Sequence, residues 1–323
     1  MPRNAAPRLR WGILGTGAIN DRVLRHGREA RAEFVAVGSR TPDRAADFAS
    51  RHGIERAHGS YDDLLGDPLV EAVYICLPNS LHHPWTLRAL AAGKHVLCEK
   101  PYTRRPAEVV EAFDAADVAR LQLMEGFMWR HTPQARRFVE LLPQIGDLRA
   151  IRATFSFVLT NPSDIRVSAS LDGGSLMDVG AYCVSGARLV TGSEPEAVHG
   201  DQLLGPSGVD VRFTGMLRFA GGVVATIACG FDFEHATLEA IGGAGSIFLR
   251  DPWTGSARTI TVNGRDVDVE PADPYRLELD NFAAAVRGDE APLLGRADAL
   301  GQARAIEALY RAAAAGEAVK VAS

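Results

Sequence analysis

Glu99-Lys100-Pro101 follows the apolar run His95-Val96-Leu97-Cys98, which sets an ionisable pair at the carboxyl end of a predicted strand, where open α/β sheets hold their ligands. Far along the chain, Gly173-Gly174-Ser175-Leu176-Met177-Asp178-Val179-Gly180-Ala181-Tyr182 joins a glycine pair to a carboxylate and a phenol four residues apart. A phenol can take a proton from a hydroxyl or return one to a carbonyl, provided that a nearby cation lowers its pKa from about 10. Tyr182 is the candidate acid/base and Lys100 the candidate cation. Together with the glycine-rich stretch Gly12-Ile13-Leu14-Gly15-Thr16-Gly17-Ala18-Ile19-Asn20, the set points to hydride transfer at a sugar-like alcohol or carbonyl carbon.

Other residues qualify this chemistry. On a predicted helix, Asp178 and Tyr182 share a face, so Asp178 can bind a substrate hydroxyl, tune the phenol, or answer the backbone amides of a helix start. Arg166, in Asp164-Ile165-Arg166, is the substrate-contact candidate; its plain alternative is an ion pair with Asp164 or Asp172. Trp129 offers a sugar-facing ring or a core side chain. Glu99 points away from Lys100 if the strand continues through both, which favours a structural role. His82-His83-Pro84 has no partner cluster at ligand spacing, so no metal is expected.

These residues need elements to hold them. Leu9 to Leu14, Phe34 to Val37, Glu71 to Leu77 and Lys94 to Cys98 read as strands, with helices over Ala18 to Ala30, from Thr41-Pro42-Asp43, from Ser60, over Trp85 to Ala92 and from Pro106. Apolar strands alternating with helices predict a parallel, doubly wound sheet, a Rossmann domain over residues 1–130. Beyond it, a strand at Ala150 to Phe157 and a helix at Leu176 to Leu189 precede strands separated only by turn signals at Ala220-Gly221-Gly222, Gly242 to Gly245 and Asn263-Gly264. Helices at Tyr275 to Arg287 and Arg296 to Ala315 close the chain. Residues 131–323 thus form an α/β domain with an open, mainly antiparallel sheet.

The loops after the parallel strands define the cofactor. Gly15 permits the tight turn and Gly17 the approach of backbone amides to a pyrophosphate, with Thr16, Ala18 and Ile19 opening the helix behind it. The last fingerprint position is Asn20 rather than glycine or alanine. After the second strand stand Ser39 and Arg40 where NAD enzymes place an acid; an arginine pairs with a ribose phosphate that an acid would repel, which favours NADP over NAD. Leu77, Pro78, Asn79 and His82 follow a later strand beside the expected nicotinamide, as do Glu99 and Lys100.

Composition sets the bounds. With 46% hydrophobic residues in 323, the chain can bury two ordinary cores. A net charge of −5 with dispersed arginines offers no field for nucleic acid, and no apolar run has the length to cross a bilayer. Met1 to Arg8 lacks the apolar centre of a secretory signal, and the four cysteines are widely spaced, which reads as a cytoplasmic protein with reduced thiols.

Gly15-x-Gly17, Pro78-Asn79-Ser80-Leu81-His82, Glu99-Lys100-Pro101 and Gly173-Gly174-x-Leu176-x-Asp178-x-Gly180-x-Tyr182, in that order, resemble the glucose-fructose oxidoreductase, inositol dehydrogenase and rhizopine catabolism protein (Gfo/Idh/MocA) family over almost the whole chain. Tyrosine at 182, where many members carry histidine, and Met124 to Pro133 resemble its glucose-fructose oxidoreductase, trans-dihydrodiol dehydrogenase and NADP-dependent xylose dehydrogenase branch. The resemblance implies an oxidoreductase acting on a sugar, polyol or cyclic diol, with an open sheet that often serves as an oligomer interface in homodimers or homotetramers. A keto-sugar reductase uses the same atoms in reverse, and a non-catalytic NADP-binding sensor would have no need of the Lys100 and Tyr182 pair.

Overall fold

A computed structural model describes residues 8–27 and 30–322. The residues before Arg8, read above for a signal, and Arg28-Glu29 near the end of the first expected helix lie outside the described residues. The chain divides into two compact units. One takes the residues up to Tyr102, Ala107–Met128 and Tyr275–Arg296; the other takes Thr103–Pro106, Trp129–Pro274 and the residues from Ala297. A linear division at residue 130 does not contain the return of 275–296 to the first unit, since nothing local distinguishes that helix from its neighbours.

The first unit alternates β1 (Leu9–Leu14), α1 (Asn20–Gly27), β2 (Ala32–Gly38), α2 (Pro42–His52), β3 (Arg56–His58), α3 (Tyr61–Leu65), β4 (Ala72–Ile75), α4 (His82–Ala91), β5 (His95–Glu99), α5 (Pro106–Ala119) and β6 (Leu123–Gly126). The strands are parallel in the order β3-β2-β1-β4-β5-β6. Leu9, Trp11, Ile13, Val73, Tyr74, Val96 and Leu97 are wholly buried, as expected of strands covered on both faces. The order reverses between β1 and β4, so the loops leaving these two strands diverge and open a crevice. Two helix starts differ in chemistry: Ser60 accepts from the Asp63 N–H, whereas Thr41 caps α2 by position alone, its hydroxyl making no cap bond.

The second unit holds α6 (Pro133–Leu141), β7 (Leu148–Ser156), α7 (Ala181–Thr191), β8 (Ala197–Leu204), β9 (Asp210–Arg218), β10 (Val224–Gly230), β11 (His235–Gly242), β12 (Gly245–Arg250), β13 (Thr259–Val262) and β14 (Arg265–Asp268). After α8 (Pro274–Arg287), α9 (Arg296–Ala315) and β15 (Val319–Lys320) complete the chain. Nine strands run in the order β14-β13-β12-β11-β7-β10-β9-β8-β15, antiparallel except for the parallel pair β7 and β10. The expected α/β architecture with a mainly antiparallel second sheet is therefore present. Val262 pairs with Arg265 around Asn263 (φ 50°) and Gly264 (φ 77°), the two-residue turn that an Asn-Gly pair favours.

Ile151, Ala153, Phe213, Leu217, Ala225 and Ile227 are buried on one sheet face, where α7 packs. The other face carries Arg152, Thr154, His199, Asp201, Met216 and Thr226 around a hollow of about 430 Å³. This period-two partition is that of a sheet with one open side.

Candidate active site

In the first unit the glycine-rich loop leaves β1 at the crevice. Gly15 adopts φ +108°, and a Cβ there would stand 3.0 Å from Leu77 Cδ2 and 3.3 Å from Cys76 O. Only glycine fits both the conformation and the gap. Asn20, fully buried at the first turn of α1, takes over the bracing of the loop: its Nδ2 donates to Gly17 O at 3.0 Å and to Gly15 O at 3.3 Å, and lies 3.2 Å from Cys76 Sγ. The departure from the fingerprint at position 20 thus substitutes a polar tie for close glycine packing. Burial pushes the Cys76 thiol up to about 12, so it stays protonated at this junction.

At the end of β2, Ser39 is buried while Arg40 is exposed. Arg44, in the first turn of α2, is exposed like Arg40; burial raises the pKa of the Tyr61 hydroxyl, and the charges of Arg40 and then Arg44 oppose the rise. Sequence reasoning missed Arg44 because its spacing from Arg40 crosses a loop-to-helix transition. This cradle, with Gly15 where a Cβ would intrude and two arginines beyond β2, fits a phosphorylated dinucleotide.

His82 is 1% exposed and serves as a strut. Its Nδ1 lies 2.9 Å from Pro101 O and its Nε2 2.8 Å from Leu77 O, which ties together the loops that follow β4 and β5. Burial lowers its pKa, and the two carbonyls act against that fall. Glu99 accepts from the Tyr74 hydroxyl and the Lys100 N–H. The Lys100-Pro101 peptide is cis.

In the second unit the expected single helix is two pieces. Leu176–Gly180 winds as a π-helix, and α7 begins at Ala181. Asp178 therefore sits on the wide turn and Tyr182 on the regular helix, so the even four-residue spacing on one face does not hold. Arg166 Nε donates to Asp178 Oδ2 at 2.7 Å, and Arg166 Nη1 lies 3.2 Å from Asp164 Oδ1. Asp178 and then Asp164 hold the guanidinium charged. Asp172 instead pairs with Arg104 at 2.9 Å and Arg105 at 3.2 Å. The glycine pair closes the loop on itself: a Cβ on Gly173 would fall 2.3 Å from Arg166 O, and Gly174 N donates to that same oxygen at 2.8 Å.

Tyr182 is 8% exposed, edge-on to Phe155 at 5.2 Å between ring centroids and 5.9 Å from Trp253. Trp129, read above as either a sugar-facing ring or a core side chain, is 1% exposed and packs edge-on against Trp253 at 5.0 Å. Phe155 and Trp253 carried no sequence signal, because their approach to Tyr182 is made by strand pairing and a loop 71 residues away. Among the described residues, no group of three His, Cys, Asp or Glu side chains stands at metal-holding distance.

Residues 9–127 match the family model described as an oxidoreductase family with NAD-binding Rossmann fold, and 141–248 match the GFO/IDH/MocA C-terminal domain. A D-xylose 1-dehydrogenase (NADP(+)) from Haloferax volcanii is 37% identical, over 97% of this chain and 100% of the relative. The chain belongs to the Gfo/Idh/MocA family of oxidoreductases. Two solved members share its fold. The aldose-aldose oxidoreductase of Caulobacter crescentus, complexed with glycerol, gives a TM-score of 0.89 at 29% identity, over 97% of this chain and 100% of that one. A 3-ketoreductase from Actinomadura kijaniata, in complex with NADP and TDP-benzene, gives 0.89 at 31%, over 94% and 98%. As a Gfo/Idh/MocA member, the protein carries a Rossmann unit that binds a nicotinamide dinucleotide, and it is an oxidoreductase.

Proposed function

We propose that the protein is an NADP-dependent dehydrogenase that oxidises an uncharged aldose, polyol or cyclic diol at a secondary alcohol or hemiacetal carbon. The observation that carries the substrate class is the Arg166 guanidinium bound to both Asp164 and Asp178. With Arg104 and Arg105 likewise on Asp172, the cations of this loop are matched by carboxylates and offer no surplus charge to a phosphorylated or nucleotide-linked sugar. Asp178 presents a carboxylate to a hydroxyl-rich ligand. The relationship to a D-xylose dehydrogenase supports the same class.

Bound NADP supplies the hydride acceptor. Gly15 and Gly17, with Thr16, Ala18 and Ile19, would hold the pyrophosphate; Arg40 and Arg44 would pair with the ribose phosphate; Leu77, Pro78 and Asn79 would border the nicotinamide. Tyr182 takes the substrate's hydroxyl proton, and the charge of Lys100 favours the phenolate that does so. In the reverse direction the same phenol returns the proton to a keto-sugar, the reading favoured by the likeness to a 3-ketoreductase. The open sheet face, with Met216 about half exposed beside the hollow, supports a homodimer or homotetramer. The four free thiols, three of them buried, suit a reducing cytoplasm.

The test is cofactor absorbance with NADP(H) and NAD(H) against aldoses, inositols, cyclic diols and keto-sugars. Aldose or diol turnover with NADP that falls at least about 100-fold in Tyr182→Phe and in Lys100→Ala is expected. Turnover confined to nucleotide-linked sugars would overturn the substrate class, and full activity in Tyr182→Phe the proton route.

A further inference from the structure

The π-turn that carries Asp178 is an unfavourable way to wind a chain, and something must hold it. Its first N–H group, Leu176 N, lies at a helix start and has no partner one turn earlier. Asp210, the first residue of β9 and 2% exposed, supplies one from 34 residues away: its Oδ2 accepts from Leu176 N and from the buried Ser175 hydroxyl, both at 2.7 Å. Its other oxygen accepts from the Tyr310 hydroxyl of α9 at 2.8 Å. The Tyr310 ring is fixed in turn, edge-on to Phe213 at 5.8 Å and under the Arg104 guanidinium at 4.9 Å, while Arg104 also holds Asp172 of the same loop. Gly174, at φ +126°, leaves room for this arrangement, for a Cβ there would lie 2.2 Å from Asp210 Oδ1 and 2.9 Å from the Tyr310 oxygen.

We propose that Asp210 and Tyr310 are positioning residues for the reaction, a cap supplied from distant parts of the same chain that locks the π-turn and thereby sets Asp178 against Tyr182. The proposal rests on the reading of Tyr182 as the proton acceptor. A π-turn holds one residue more than the α-turn it replaces. If the cap is lost, the segment can rewind as α-helix, and the side chains before the turn rotate by about 100° about the axis, the angle of one helical residue. Asp178 and its partner Arg166 would then leave their place relative to Tyr182, although the core beneath α7 would stay intact.

Tyr310→Phe is the discriminating variant, because it deletes one hydroxyl and keeps the ring on Phe213 and under Arg104. Steady-state kinetics with NADP and the most active aldose of the panel should show kcat reduced about tenfold, with KM for NADP unchanged. Asp210→Asn, whose amide must turn a donor toward one of its present donors, should lose more, and combining the two should cost less than the product of the single losses. Hydrogen exchange should speed up at the Leu176 amide in both. Should Asp210→Asn fail to fold, Tyr310→Phe decides alone. A lower Tm with kcat and both KM values at the parent level would overturn the proposal and leave the cap a stability feature. Tyr182→Phe, run beside them, separates the two readings: an inactive Tyr182→Phe with unimpaired cap variants overturns the cap's role only, whereas an active Tyr182→Phe overturns the proton route and the cap's role with it.

Discussion

In the proposed reading, Arg40 and Arg44 together favour NADP over NAD. A carboxylate after the second strand would take the ribose hydroxyls of NAD; a guanidinium there repels nothing and pairs with a phosphate. Arg40→Ala should raise the KM for NADP about tenfold or more, the worth of one charge-assisted hydrogen bond, and leave the KM for NAD nearly unchanged. Arg44→Ala should act in the same direction but less strongly. Initial rates with both dinucleotides check this, and an equal loss for each would refute a phosphate-specific role. Arg40 was legible because its place is defined relative to a predicted strand end. Arg44, Phe155 and Trp253 were not, since none has a partner close by in sequence.

Element by element, the readable parts were those governed by local rules. β1 and α9 lie where alternation and helix length put them, and the Asn263-Gly264 turn joins β13 to β14 as its residues demand. The helix expected over Leu176 to Leu189 is the instructive difference. Its composition suits an α-helix, but a buried carboxylate from β9 holds the start of a wider first turn, in which a Cβ at Gly180 would stand 2.7 Å from Cys229 Sγ. The glycine pair before it answers backbone crowding in its own loop. Gly173→Ala would drive a methyl group against the Arg166 carbonyl, where neither backbone can yield, so a loss of about 1–3 kcal/mol or more is expected. Thermal unfolding measures that loss. The Arg166–Asp178 pair should be displaced with it, and unchanged turnover in this variant would show that the loop geometry does not matter to the chemistry.

At the scale of the whole molecule, a buried acid records how the first unit is closed by a helix from late in the chain. Glu278 of α8 is 1% exposed, and its Oε1 has no hydrogen-bond partner among the described residues. Burial, and then the charge of Glu99, raise its pKa well above the usual carboxylate range. The folded state therefore keeps this proton at pH values where the unfolded chain has released it. The stability it contributes is full below pH of about 4.3 and is lost as pH rises from there through the raised folded value. Glu278→Gln cannot ionise, so the Tm difference between the variant and the parent should move in the variant's favour as pH rises from 5 to 8. A difference that does not change with pH would mean that Glu278 ionises freely in the fold. Sequence by itself determined the elements, the parallel nucleotide unit, the glycine loop and the arginine after β2, because these depend on periodicity, turn chemistry and distance to a strand end. Tertiary structure alone decided the return of α8 to the first unit, the parallel pairing of β7 with β10, the capping of the π-turn by Asp210 and the partners of Arg166. Each of these joins groups that compete for burial or a hydrogen bond across distant parts of the chain, and only packing determines which partner wins.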